Sequence, residues 1–183
     1  RSGTPATPAN IGFAGSVLFA VFLAGWGCAF LWGPIADRFG RTRALAATIL
    51  MYAIFTGLAA FAQNVWQLGL FRFLSGVGVG GEWAMAGTYV AEAWPEDRRK
   101  MGAGYLQTGY YFGFFAAAAL NYTVGARFGW RAMFLCGFIP VIVAAITLRK
   151  VQEPPRWKAH KDEAQRAHPL AEDESLADEL QRR

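Results

Sequence analysis

Four stretches of this chain contain no Asp, Glu, Lys or Arg: residues 2–36, 44–71, 101–126 and 132–148. A helix needs ~20 mostly apolar residues to cross a bilayer. Three of these runs are long enough, and the fourth, of 17 residues, just reaches. The charges, 17% of the 183 residues against roughly 25% in soluble domains, gather in the turns between. Apolar blocks this long, in a chain that is 54% hydrophobic, exclude a water-soluble core. The expected fold is all-α and integral to a membrane.

Local punctuation divides the apolar mass into five helices, at about 11–36, 44–62, 65–93, 101–124 and 131–148. The first ends at DRFGRTR and the second at Gln63 and Asn64; Pro95 stops the third, PEDRRK precedes the fourth, and Arg149 and Lys150 close the fifth. This predicts a loop over 1–10, a membrane domain over 11–150 and a hydrophilic segment over 151–183. RSGTPATPAN has no basic n-region or cleavage site, so it is not a signal peptide; it reads as a loop cut from something longer. Cys28 and Cys136 both fall inside apolar spans, where a small hydrophobe is the expected role rather than a disulfide or a metal ligand.

Basic residues orient the helices. Arg38, Arg41 and Arg43 in the turn 37–43, Arg98, Arg99 and Lys100 in the turn 94–100, and Arg149, Lys150, Arg156, Lys158 and Lys161 just after the fifth helix make eleven, against three (Arg1, Arg127 and Arg131) on the opposite side. The positive-inside rule makes the first set cytoplasmic and the N-terminal loop external. Trp66 and Trp130 fall at external helix ends and Trp32, Trp94 and Trp157 near cytoplasmic ones, as interfacial belts do; Trp26 and Trp83 are interior. Five crossings from an external start lead us to expect at least one more helix upstream.

The third span carries the chemistry. In RFLSGVGVGGEW, Arg72 and Glu82 flank a glycine ladder inside an apolar helix. A charge at the bilayer centre costs ~2.5–3.5 kcal/mol on insertion scales and by default marks a functional position. Ten residues apart, the two charges lie about 15 Å along a regular helix and about 80° around it, so they cannot pair with each other. Each needs another helix, a ligand or a water-filled cavity. No other acidic residue at membrane depth in the five spans can meet Arg72, so its partner is expected outside this chain. Glu82 is either a permanently hydrogen-bonded structural group or one that loads and releases a proton.

Gly69, Gly76, Gly80 and Gly87 form a narrow helical stripe, a device for close helix approach in membranes. Ser75, Glu82 and Tyr89 form a second stripe. Gly76, Gly78 and Gly81 spell GxGxxG, but that fingerprint needs a preceding strand and an exposed helix N-terminus, which the middle of an apolar helix lacks. On the fourth span Gln107, Tyr111, Phe114, Ala118 and Asn121 share a face that suits either a cavity wall or core packing.

Several of these motifs resemble one family. GPIADRFGRTR resembles the loop signature between helices two and three of the major facilitator superfamily, matching at Gly33, Ala36, Asp37, Arg38, Gly40, Arg41 and Arg43, with Thr42 where a basic residue is common. Arg72 with Gly76, Gly78 and Gly80 resembles the RxxxGxGxG pattern of helix four, and AEAWPEDRR the segment that follows it. EPPRW, from Glu153 to Trp157, is like the PESPR segment after helix six, with Gln152 and Pro154 as departures. The resemblance implies helices two to six of twelve: an incomplete six-helix N-domain, lacking helix one and the C-terminal six-helix half, with 151–183 the start of a central cytoplasmic loop.

The resemblance further implies a multi-pass protein of the cell (plasma or inner) membrane. A conformational charge cluster of Asp37, Arg38, Arg41, Glu92 and Arg99 would lie at its cytoplasmic face, although plain topogenic charge also explains loop arginines. Helix packing is assigned to Gly33 and Gly40 beside the ladder glycines. GGEW, Gly80 to Trp83, and LQTGYYFG, Leu106 to Gly113, are similar to proton-coupled organic-acid branches. The expected function is symport of a small organic anion with a proton by alternating access. Arg72, Ser75, Glu82, Gln107 and Tyr111 line the expected pathway, the partners are the bilayer, the anion and the proton, and no cofactor, metal or nucleic acid is called for. A sugar or drug carrier, or a transport-dead sensor or scaffold of the same fold, is the alternative. An enzyme is not expected, because His160 and His168 lie in the polar tail and Ser75 has no base in view. The stretch PLAEDESLADELQRR in that tail can form an acidic amphipathic helix.

Overall fold

The computed structural model describes residues 7–159 and 162–163; the expected tail helix, His160 and His168 lie outside them. Most of the described chain is helical: α1 (Pro8–Gly27), α2 (Trp32–Phe39), α3 (Arg41–Leu58), α4 (Val65–Ala93), α5 (Arg99–Leu120), α6 (Ala126–Leu135) and α7 (Pro140–Lys150).

Seven helices make five spans because prolines tighten two of them. Pro34 lacks an N–H, and its ring crowds the carbonyl four residues back in a regular helix. The turn before it, Cys28–Leu31, winds as a 3-10 helix joining α1 to α2. Pro140 has the same effect on Cys136–Phe138, between α6 and α7. Chain reversal falls to two glycines with positive φ, Gly40 at 108° between α2 and α3 and Gly129 at 81° within α6, a conformation that costs glycine little. The fourth span therefore continues past its expected end near 124, through a π-wound turn at Asn121–Gly125, and folds back at Gly129. The first span also starts early. Thr7 caps α1, its hydroxyl accepting from the Asn10 N–H at 3.3 Å, with Pro8 in the first turn, so helix replaces the expected loop from residue 8. Thr-Pro is itself a helix-start signal.

Pro8–Phe39, Arg41–Phe61 and Glu96–Lys150 are long and apolar enough to cross a membrane, the last as two passes. Val65–Ala93 has the length, 29 residues, but glycines and charges lower its hydropathy. Its neighbours compensate: α4 packs between α1 and α3, and α7 covers another side of α3.

Glycines bring α4 against both neighbours. A Cβ on Gly76 would strike the Phe22 carbonyl and one on Gly80 would strike Trp26, both on α1. From the other face, a Cβ on Gly78 would strike Tyr52 and one on Gly81 would strike Trp32 and Thr48. Gly25 of α1 returns the approach against the Phe73 carbonyl. Three expected packing positions are corrected for the described residues: among these, nothing lies within 4 Å of a Cβ added at Gly33, Gly69 or Gly87. Helices crossing at an angle touch only near the crossing, so a stripe drawn along the whole helix overstates the contact.

Trp32 is a second correction. It is 8% exposed, and its Nε1 donates to the Val77 carbonyl at 3.1 Å, so it belongs to the core and not to an interfacial belt. Gly81 makes room for its indole. At the other pole Arg131 ties α6 to the end of the second span, its Nε donating to the Ala60 carbonyl at 3.1 Å and its Nη2 to that of Ala62 at 3.5 Å. A cation there also suits the negative end of α3.

Candidate functional site

Midway along α4, Glu82 and Trp83 border a half-open cavity of about 600 Å³ between α1, α4 and α5. Its walls are aromatic: Phe19, Phe22 and Trp26 from α1, Trp83 from α4, Tyr105 and Tyr110 from α5. Trp83 and Tyr110 meet edge to face at 5.4 Å. Among the described residues, Glu82 is the one charged residue in the lining.

Gly102 sets the register of α5, packing on Val90 and Trp94 at the end of α4. Helical spacing then turns Tyr105, Leu106, Gly109 and Tyr110 toward the cavity. Gln107 and Tyr111, expected in the pathway, fall on the adjoining face outside this lining, and Tyr111 meets Tyr110 only at its ring edge, 5.6 Å away. The polar content of their stripe selected it in the sequence; the contact of α5 with α4 turns the neighbouring face toward this cavity. Ser75 is likewise outside the lining. It is 1% exposed, and its hydroxyl donates to the Arg72 carbonyl at 3.0 Å, which satisfies a buried hydroxyl inside the helix contact.

Arg72 sits beside the cavity. Its guanidinium lies over the Phe22 ring at 4.8 Å and the Phe134 ring at 5.9 Å. Among the described residues no carboxylate forms an ion pair with it.

At the end holding the turns 37–43 and 94–100, Arg41 lies between two carboxylates. Its Nη1 is 2.8 Å from Asp37 and its Nη2 3.1 Å from Glu92, with Nε also donating to Glu92 at 3.1 Å. The Arg41 and Glu92 side chains are 15% and 20% exposed. Arg38 and Arg99 lie outside this group. Arg38 sits over the Phe39 ring at 5.7 Å, and Arg99 faces Glu96 at 3.6 Å, because the turn after Pro95 carries it beside the 3-10 segment Glu96–Arg98. Removing one partner from a partly desolvated pair leaves the other charge uncompensated. Arg41→Ala and Glu92→Gln are therefore each expected to lower thermal stability, with a coupling of about 1–3 kcal/mol in a double-mutant cycle. Strict additivity would separate the two residues.

Sequence reasoning missed Glu153. Its carboxylate accepts the Thr42 N–H at 3.1 and 3.2 Å, capping α3, whose own N-cap residue, Gly40, has no side chain to do so. Gly40 thus serves twice, since a Cβ there would strike this carboxylate. The Tyr89 hydroxyl donates to the Gln152 carbonyl at 2.9 Å, and Arg156 donates to Glu96 at 3.0 Å. Residues 152–156 lie as a strap over the ends of α3 and α4. The only sequence signal was the EPPRW similarity, which names no partner. Glu153→Ala is expected to cost about 0.5–2 kcal/mol and to speed amide exchange at the start of α3; unchanged exchange at Thr42 would contradict the cap.

Apolar spans packed around a charge-bearing helix define an integral membrane protein, with an aromatic cavity beside that helix and an ion-paired network at one end. The chain belongs to the Major Facilitator Superfamily, which it matches over residues 5–178. It is 36% identical over 163 residues to the niacin transporter NiaP of Acinetobacter baylyi, covering 89% of this chain and 35% of that protein. It is 32% identical over 143 residues to the sialic acid transporter NanX of Escherichia coli, covering 78% of this chain and 35% of that protein. Among solved structures, the inward open conformation of the xylose transporter XylE from E. coli superposes with a TM-score of 0.71 at 24% identity, covering 85% of this chain and 40% of that one; the fold is shared. The chain thus spans 35% of the length of each of the two curated relatives.

Proposed function

We propose that this chain forms part of a secondary active transporter that moves a small organic anion together with a proton by alternating access. The observation that carries the reading is the placing of Glu82 as the one charged group in an aromatic-walled cavity, with the Arg72 guanidinium just behind the Phe22 wall. An anion and a carboxylate sharing one apolar cavity repel each other, so the anion enters with a proton on Glu82 and the two travel together. Arg72 supplies positive charge for the anion. The Asp37–Arg41–Glu92 group, cytoplasmic by the positive-inside rule, closes that side in the outward-open state and separates when the carrier turns inward, a network with two discrete arrangements. The spans cross the plasma or inner membrane, and segment 151–183 belongs to the same cytoplasmic side.

The names of two relatives support an acidic substrate, since niacin and sialic acid are both carboxylic acids. The test is uptake by cells expressing the full-length protein. Nicotinate or N-acetylneuraminate, supplied radiolabelled, is expected to accumulate faster as external pH falls, and unlabelled carboxylates compete. Competition by xylose without competition by carboxylates would transfer the reading to a sugar carrier.

A further inference from the structure

Glu82 has a neighbour on α3 that the pathway above does not use. α3 and α4 run antiparallel, as the pairing of Arg41 at the start of one with Glu92 at the end of the other requires. They touch where α4 carries no side chain: a Cβ on Gly78 would strike the backbone N and the Cβ of Tyr52, and one on Gly81 would strike the Trp32 indole and the Thr48 methyl. Both sides of this contact belong to the described chain, and helices this close leave no room for another between them.

Tyr52 therefore leaves α3 directly over Gly78. A helical side chain leans toward its own N-terminus, and in this antiparallel pair that direction runs toward the C-terminal end of α4. Glu82 stands one turn further along the same flank, about 6 Å on, a rise that a tyrosine spans with its hydroxyl at the far end. Tyr52 is half-buried, and the charge of Glu82 acts on its phenol. Thr48, the other hydroxyl on this contact, donates to the Leu45 carbonyl at 2.7 Å. The remaining elements packed on α4 place their titratable groups elsewhere. α1 carries none, and Cys28 in the turn after it gives its S–H to the Ala24 carbonyl at 3.6 Å. Tyr105 and Tyr110 of α5 face the cavity. The charges of α2 and of the first turn of α3, Asp37 and Arg38 with Arg41 and Arg43, belong to the Glu92 end, ten residues along α4. Arg72 is ten residues away in the other direction.

We propose that Tyr52 is a positioning residue for the proton step: its hydroxyl donates to the Glu82 carboxylate once that group has given up its proton to cavity water. In this structure Glu82 faces the cavity and the bond is open; rotation of its side chain toward α3, with neither helix moving, closes it. An ionised carboxylate among apolar walls is costly unless hydrogen-bonded, and a donor to the charged form favours that form. The proton can then leave without exposing a bare charge to Phe19, Phe22 and Trp26. Tyr52 keeps its own proton throughout. This inference rests on the proton-coupled reading above.

Its test is the pH profile of counterflow by the full-length protein in proteoliposomes, with nicotinate and N-acetylneuraminate as probes, equal pH inside and out, and the amount of inserted protein measured for every variant. Tyr52→Phe keeps the ring over Gly78 and removes only the donor. It is expected to move the midpoint of the profile about one pH unit upward, the scale of one hydrogen bond to a charged group, because Glu82 then holds its proton to higher pH. The rate at the acid plateau is expected to stay at the wild-type value. Thr48→Val removes a hydroxyl from the same helix contact and is expected to leave the midpoint in place. An unmoved midpoint in Tyr52→Phe, or an equal shift in Thr48→Val, would overturn the proposal. So would a loss of protein or of plateau rate without a shift, which is the mark of a packing role. In a Glu82→Gln background Tyr52→Phe has no carboxylate to act on, and any further change of the profile there would also overturn it. Glu82→Gln alone separates the two levels of the account. If it keeps the wild-type profile, the proton-coupled reading fails. If it flattens the profile while Tyr52→Phe overlays wild type, only the role of Tyr52 fails.

Discussion

Glu82→Gln in the full-length protein is expected to abolish the pH dependence of uptake and the concentrative accumulation of substrate, while counterflow of preloaded substrate continues. Glutamine keeps the size of the side chain and its hydrogen-bonding capacity but cannot carry a titratable proton. The cavity walls at Phe19, Phe22, Trp26 and Tyr110 are untouched, so the anion still binds and exchanges. What disappears is the link between the anion and the proton gradient, and the variant equilibrates substrate instead of concentrating it. Normal, pH-dependent accumulation would remove Glu82 from the coupling step and leave it a structural carboxyl.

Gly76→Val should lower the amount of folded protein in the membrane several-fold. The added side chain would enter space occupied by the backbone carbonyl of Phe22 on α1, and backbone cannot rotate away as a side-chain tip can. Overpacking a tight contact costs about 1–3 kcal/mol, of the order of a tenth to a third of the stability of a typical domain. Because the same glycine face carries Gly80 against Trp26, separating α1 from α4 there would also open the cavity wall. Gly69→Ala, with nothing within 4 Å of its new Cβ, is expected to be tolerated. The check is the yield of monodisperse protein in mild detergent and its thermal midpoint. Equal behaviour of the two variants would contradict the glycine contact.

The legible features of the sequence were those set by solvent and local chemistry. Uncharged runs located the spans, and Pro95, Gln63 and Asn64 located breaks, because hydrocarbon admits few alternatives to a helix. The isolation of Arg72 from the other charges was readable because no carboxyl occurs at its depth in the spans. Features that depend on how helices cross were less legible. Two faces of α4 carry glycine, Gly76 with Gly80 toward α1 and Gly78 with Gly81 toward α3, whereas spacing alone suggested one stripe extended to Gly69 and Gly87. The cavity uses Tyr110 and not Tyr111, a difference of one residue fixed by the contact of Gly102 with Val90 and Trp94.

Long-range polar contacts were the least accessible. Glu153 finds the Thr42 N–H across 111 residues of sequence, and nothing local to either residue announces it. Trp32 was misplaced for a related reason: a tryptophan near a helix end fits an interfacial belt until Val77 and Gly81 are seen to receive it. Resemblance named Asp37, Arg41 and Glu92 together, but only the folded chain separates them from Arg38 and Arg99.

The account depends on α4 standing among membrane helices with Glu82 facing an aqueous cavity. The most direct measurement is alkylation of Glu82→Cys, in a full-length background with Cys28 and Cys136 replaced by serine, by a charged thiol reagent that enters water-filled cavities but not lipid. Rapid modification, slowed by substrate and absent for Phe115→Cys on the exposed flank of α5, is the predicted result. A Glu82→Cys thiol that stays inert to the charged reagent while reacting with a lipid-soluble maleimide would contradict it.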